Sequence, residues 1–166
     1  MNAWRVPIRI IGVGSPHGDD SVGWEVVREL RSKLDGQKGL ELHSVEGGQR
    51  LLDLLDCRGT LFLIDALAPE GRPGSVRRFT WPDERFESLC FPSTHHLRPV
   101  EALKLAETLG LLPAQVVIFG IEAEQMNASG GLSQVVAAAV PRLLNCIVEE
   151  LNHARNVFVA RLDGAN

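Results

Sequence analysis

No two cysteines in this chain form a CxxC pair. Cys57, Cys90 and Cys146 are odd in number and far apart, which argues against a disulfide scaffold or a structural zinc site and for a reducing compartment. Basic excess is also missing: 17 Lys and Arg stand against 21 Asp and Glu, a net charge of −4. That leaves no electrostatic footprint for nucleic acid and no polybasic patch for a membrane surface. No apolar run is long and uninterrupted enough to span a bilayer. The stretch Met1 to Pro7 lacks the apolar centre of a signal peptide. There is no internal repeat, low-complexity tract or domain linker. A cytoplasmic protein is expected.

What remains is an ordinary globular composition. The 166 residues are 45% hydrophobic and 23% charged, which suits one domain with a real core. That domain is expected over residues 1–166, with its core at about 8–152 and a tail from Asn156. Ile8 to Val13 is a short, β-branched apolar run followed at once by Gly14, the mark of a buried strand ending at a tight turn. Leu40 to Val45, Thr60 to Leu67 and Gln115 to Glu122 read as further strands. Ser75 to Trp81 alternates as an edge strand would.

Helices fill the intervals. Val22, Val26, Leu30 and Leu34 recur every four residues, so a helix is expected from Ser21 to Leu34. A short helix carries Leu51 to Leu55, and another runs from Pro99 to Leu109, with Pro at its first turn. A long apolar stripe from Leu132 to Leu151 predicts a last helix that begins near Ser129 to Leu132 and is kinked or divided at Pro141. Asp83 to Thr94 shows no period and reads as irregular. Strands alternating with helices predict an α/β fold, a single doubly wound domain. Its central sheet has about five mostly parallel strands with helices on both faces.

In such sheets ligands bind at the carboxyl ends of strands. Asp19 and Asp20 follow the first strand, Glu46 the second and Asp65 the third. His95 or His96 precedes a helix that could face the same rim. Carboxylates plus an imidazole suit a borderline divalent ion such as zinc or nickel. Each residue also has a plainer reading. Asp19 and Asp20 at a helix start can cap amides. His95-His96 can be a loop pair, and Glu122 and Glu124 a solvated acidic turn. Asp65 is harder to explain structurally, because a charge ending a buried strand needs a partner.

A dinucleotide site is the rival reading. Gly12, Gly14 and Gly18 imitate the GxGxxG fingerprint. The third glycine is one place late, Pro16 and His17 occupy the phosphate turn, and two carboxylates stand where phosphate would lie. A serine or cysteine nucleophile finds no elbow: GxSxG is absent.

Several segments, in order, resemble the hydrogenase maturation endopeptidases. Gly12-Val-Gly14-Ser15 with Asp19-Asp20-Ser21-Val22-Gly23 resembles their GxGNxxxxDDGxG signature. Glu46-Gly47-Gly48 resembles the acidic-Gly-Gly turn and Ile64-Asp65-Ala66 the strand-end IDA. Ser93-Thr94-His95, then Leu103 to Ala106 and Gly110 to Pro113, resemble one further block. Phe119 to Glu122 and Gly131 to Ser133 resemble FGIE and GLS. The family's Asn falls on Ser15, its Gly after the acidic pair on Ser21, and the first loop is one residue shorter. The resemblance runs from about Arg9 to Leu151.

The resemblance implies a monomeric, nickel-dependent endopeptidase that removes the C-terminal extension of a nickel-iron hydrogenase large-subunit precursor. The nickel is supplied by the substrate rather than held permanently. The family's metal-contacting residues fall on Asp20, Asp65 and His95, which are the expected catalytic and metal residues. Asp19 is the reserve ligand. With Glu46, Gly47 and Gly48 it is expected in the substrate pocket. The alternative is a non-proteolytic metal- or nucleotide-binding relative with the same fold.

Overall fold

The first strand, β1 (Ile8–Val13), is buried along its whole length. In the computed structural model it lies second in a five-stranded sheet; residues 7–34, 36–90 and 97–163 are described, with 155–163 described by backbone alone. Its neighbours are β2 (Leu40–Val45) and β3 (Thr60–Leu67), both parallel to it. β5 (Gln115–Glu122) runs parallel beside β3, and β4 (Val76–Thr80) closes the far edge antiparallel to β5. The order is β2-β1-β3-β5-β4.

Period-two alternation divides the central strands between two cores. Ile8, Ile10, Phe62, Ile64, Phe119 and Ile121 face one side. They pack there against α1 (Val22–Leu34) and α5 (Gln134–Asp163). Ile11, Val13, Leu61, Leu63, Val116 and Ile118 face the other. That side is covered by α2 (Gly47–Asp53), α3 (Glu84–Leu89) and α4 (Pro99–Thr108). Both faces are therefore apolar, as a parallel interior demands. Arg9 is a charged exception at the start of β1, 8% exposed. Its guanidinium is neutralised by Glu41 at 2.7 Å and Asp56 at 3.3 Å, and it donates to the Leu54 carbonyl.

The chain leaves β1 through α1 on one face and leaves β2 through α2 on the other. The strand order thus reverses between β1 and β3, and the crevice above their carboxyl ends is where such sheets bind ligands.

Three expectations need correction. Asp83 to Thr94 is not wholly irregular: Asp83 caps α3 by accepting from the backbone amides of Arg85 and Phe86. The last helix begins later, at Gln134, and is not divided at Pro141, which lies inside it. No tail starts at Asn156; α5 continues to Asp163, since extending a helix already formed costs little. Among the described residues, no helix is long and apolar enough to cross a membrane.

Candidate functional site

The turn after β1 is built by close approach. A Cβ on Gly14 would collide with the Asp20 carbonyl, and one on Gly12 with the Gly23 carbonyl. Neither glycine has a positive φ, so their role is space rather than unusual backbone. They let the short 3-10 turn Gly18–Ser21 and the start of α1 lie directly on the strand end.

That contact sends the two adjacent carboxylates in opposite directions. Asp19 is fully buried. It accepts from the amides of Glu124, Gln125 and Ser133 at 2.7–2.8 Å and from the Ser133 hydroxyl at 2.9 Å. It clasps the exit of β5 and the entry to α5 onto the β1 turn. It does not line the cavity described next.

Asp20 is half-buried and lines a cavity of about 680 Å³ at the carboxyl ends of β1, β2 and β3. Burial pushes its carboxyl above the usual range, a hydrogen bond from the Ser15 hydroxyl pulls it back, and the charge of Glu46 raises it further. Asp65 lines the same cavity from the end of β3 and is 6% exposed. Burial holds its carboxyl well above the ordinary value, the charge on Asp20 adds to that, and the Ala66 amide opposes it. Asp20 and Asp65 are thus two carboxylates sharing a poorly solvated crevice, each making the other costlier to ionise. A bound cation would reverse that cost.

Glu46 and Gly47 line the cavity as well. Gly48 does not. Its amide donates to the Leu97 carbonyl at 2.7 Å, and a Cβ there would meet the Leu97 and Arg98 carbonyls at 2.6 Å. Its part is to let the strand-like approach to α4 cross α2. His95 and His96 lie outside the described residues. Among those that are described, no three His, Cys, Asp or Glu side chains form a group able to hold a metal.

Sequence reasoning missed several lining residues: Ser15, Gln49, Arg50, Cys90, Arg98, Met126 and Asn127. Arg50 carried a usable signal, four residues after Glu46 on the same short helix. Met126 and Asn127 follow β5, whose carboxyl end shares the rim. Cys90 had no signal. Its thiol, 4% exposed, is pushed up to about 12 by burial and by the charge of Asp65. It stays protonated and is a poor nucleophile. Glu122 was read as solvated and is not. It is 1% exposed and accepts from the amides of Glu70 and Arg72 at 2.6 and 2.7 Å, pinning the loop after β3.

Comparison with known proteins adds identity to this geometry. A comparison with curated sequences finds no significant match. Solved structures do match. The hydrogenase maturating endopeptidase HybD from E. coli aligns with TM-score 0.73 and 23% identity, over 89% of this chain and 93% of that one. An endopeptidase from Escherichia coli studied in solution aligns with TM-score 0.74 and 24% identity, over 89% and 93%. The [NiFe] hydrogenase maturation protease HybD from Thermococcus kodakarensis aligns with TM-score 0.64 and 26% identity, over 87% and 98%. The family model HycI, hydrogenase maturation protease, matches residues 25–150. That match takes in Asp65 and Glu46 and starts just after Asp20. With most of its length matched, this chain belongs to the hydrogenase maturation protease family.

Proposed function

We propose that this protein trims the C-terminal extension from a nickel-loaded nickel-iron hydrogenase large-subunit precursor. Asp20, Asp65 and His95 would meet the nickel carried by that substrate. The observation that carries the reading is the pair of raised carboxyls, Asp20 and Asp65, facing one cavity at the β1/β3 reversal. Such a pair is costly when empty and favourable around a divalent cation. Family membership supports protease chemistry; the assignment of His95 rests on its place in the resemblance to the family's Ser-x-His segment.

No described serine or cysteine is equipped to attack. The Cys90 thiol is held at about 12, and Ser15 has a carboxylate partner but no described imidazole. Water is therefore the nucleophile. Its oxygen bonds to the scissile carbonyl carbon, the C–N bond breaks, and the released amine takes up a proton. Asp20 is the more accessible carboxylate and lines the cavity, so it is the candidate to receive the water's proton. Asp65, deeper, fixes the metal-bearing segment. The enzyme reads the metal as proof that loading is complete, acts as a monomer in the cytoplasm, and needs no resident cofactor.

The test is incubation with a nickel-loaded large-subunit precursor, followed by mass spectrometry of the precursor's C-terminus. Wild type shortens it and Asp65→Ala does not. Equal trimming by Asp65→Ala removes the proposed site. Binding of the precursor without trimming favours a non-proteolytic relative. Stabilisation by NAD or NADP, and none by nickel, favours the nucleotide reading.

A further inference from the structure

The cavity is not uniformly acidic. Asp20, Glu46 and Asp65 line its strand-end rim, while Arg50 on α2 and Arg98 before α4 line its helical wall. The two arginines are not equivalent. Arg98 is already engaged: its guanidinium meets Glu101 at 2.9–3.0 Å, and its amide donates to the same carboxylate at 3.0 Å. Arg50 is exposed and makes no ion pair with any described residue. Glu46, four residues earlier, lies outside ion-pair distance of it.

A ligand filling this cavity meets carboxylates on its strand-end lining and a guanidinium on its helical lining. The carboxylate rim repels an anion and attracts a cation; the arginine wall does the reverse. A peptide that brings a metal to Asp20 and Asp65 therefore places an adjoining segment against a guanidinium. That planar fork binds carboxylate oxygens in pairs, with a directionality that a lysine lacks.

We infer that Arg50 is a specificity-determining residue that grips a carboxylate in the segment to be removed from the precursor. The inference rests on the processing reading above. The carboxylate has two possible sources, an acidic side chain in the extension or the terminal carboxylate of the chain. Arg50 touches substrate away from the scissile bond, so its contribution is uniform binding. It lowers KM and leaves the chemical step nearly unchanged.

The experiment measures trimming rates of a nickel-loaded precursor by wild type, Arg50→Ala, Arg50→Lys and Arg50→Glu. Three precursors are compared: native, one with the extension's Asp and Glu changed to Asn and Gln, and one ending in an amide. With the native precursor, Arg50→Ala raises KM about tenfold with kcat within about twofold. Arg50→Lys falls between it and wild type, and Arg50→Glu is worse than Arg50→Ala. The precursor that has lost the recognised carboxylate shows a raised KM with wild type and no further change with Arg50→Ala. That identifies the source. If wild type trims the native precursor and Arg50→Glu does so with unchanged KM, the role of Arg50 is overturned and the processing reading stands. If wild type trims no precursor, the processing reading itself falls and takes this inference with it.

Discussion

Asp19 and Asp20 are chemically identical neighbours with opposite surroundings. Asp19 is fully buried among four donors. Asp20 has one hydroxyl partner, a neighbouring carboxylate across the cavity and a raised pKa. What separates them is satisfaction, since both are removed from bulk water. A buried carboxylate whose lone pairs are filled by backbone amides holds the fold together. One that is desolvated and left short of partners stores a cost that a ligand can relieve.

The comparison can be broken most forcefully at Asp19. Asp19→Ala leaves three amides and a hydroxyl without their acceptor and costs about 3–5 kcal/mol of stability, as loss of a buried charged partner does. Urea unfolding measures it; a loss under about 1 kcal/mol would mean the clasp is incidental.

Asp65→Asn should act in the reverse sense. On the proposed function, trimming falls by more than about 100-fold, because a group meeting the metal would be worth at least as much as those that support it. The metal-free protein, however, becomes more heat-stable at neutral pH. The folded-state carboxyl sits above its ordinary 3.8, so the folded protein holds that proton more tightly than the unfolded chain. Stability therefore declines as pH rises from 3.8 through the raised value, and the full cost is present above it. The gain in Tm from Asp65→Asn is gone below about pH 4 and grows as pH rises above it. Calorimetry of both proteins across that range decides it.

Gly48→Ala inserts a methyl where two carbonyls already lie at 2.6 Å. Displacing the Leu97–Arg98 backbone costs about 1–3 kcal/mol, and it moves two residues that line the cavity. Trimming should drop more than thermal stability explains, which is checked by assaying well below the variant's Tm. The smallest effect belongs to Ser15→Ala. Loss of the hydroxyl removes the larger of the two influences that oppose the upward shift of Asp20, the other being His17. The acidic limb of the trimming pH profile moves upward.

Much of this was legible beforehand, for a physical reason. β1, β3 and β5 are apolar on both faces, and a parallel interior leaves no other reading of such runs. Asp65 stood out because a carboxylate ending a buried strand has no bland explanation. The roles of Asp19 and Asp20 could not be divided in the same way. Asp19 binds Glu124, Gln125 and Ser133, which are 105 to 114 residues away, and no local pattern encodes such a pairing. Glu122 was misread likewise, its donors lying 50 and 52 residues back. α3 was missed because six residues are too few to show a period. The end of α5 was missed because Val157-Phe-Val gives a poor helix propensity, which an existing helix overrides.

The Asp19 clasp also sets a time order. Its donors lie after β5 and at the entry to α5, so they leave the ribosome long after both cavity carboxylates have been made. A nascent chain that stops short of Glu124 contains Asp20 and Asp65 yet lacks every donor that holds Asp19 at the β1 turn. Contacts of such long separation close late, after the loop entropy has been met. Orientation of the turn that carries Asp20 is thereby tied to synthesis of the chain through Ser133.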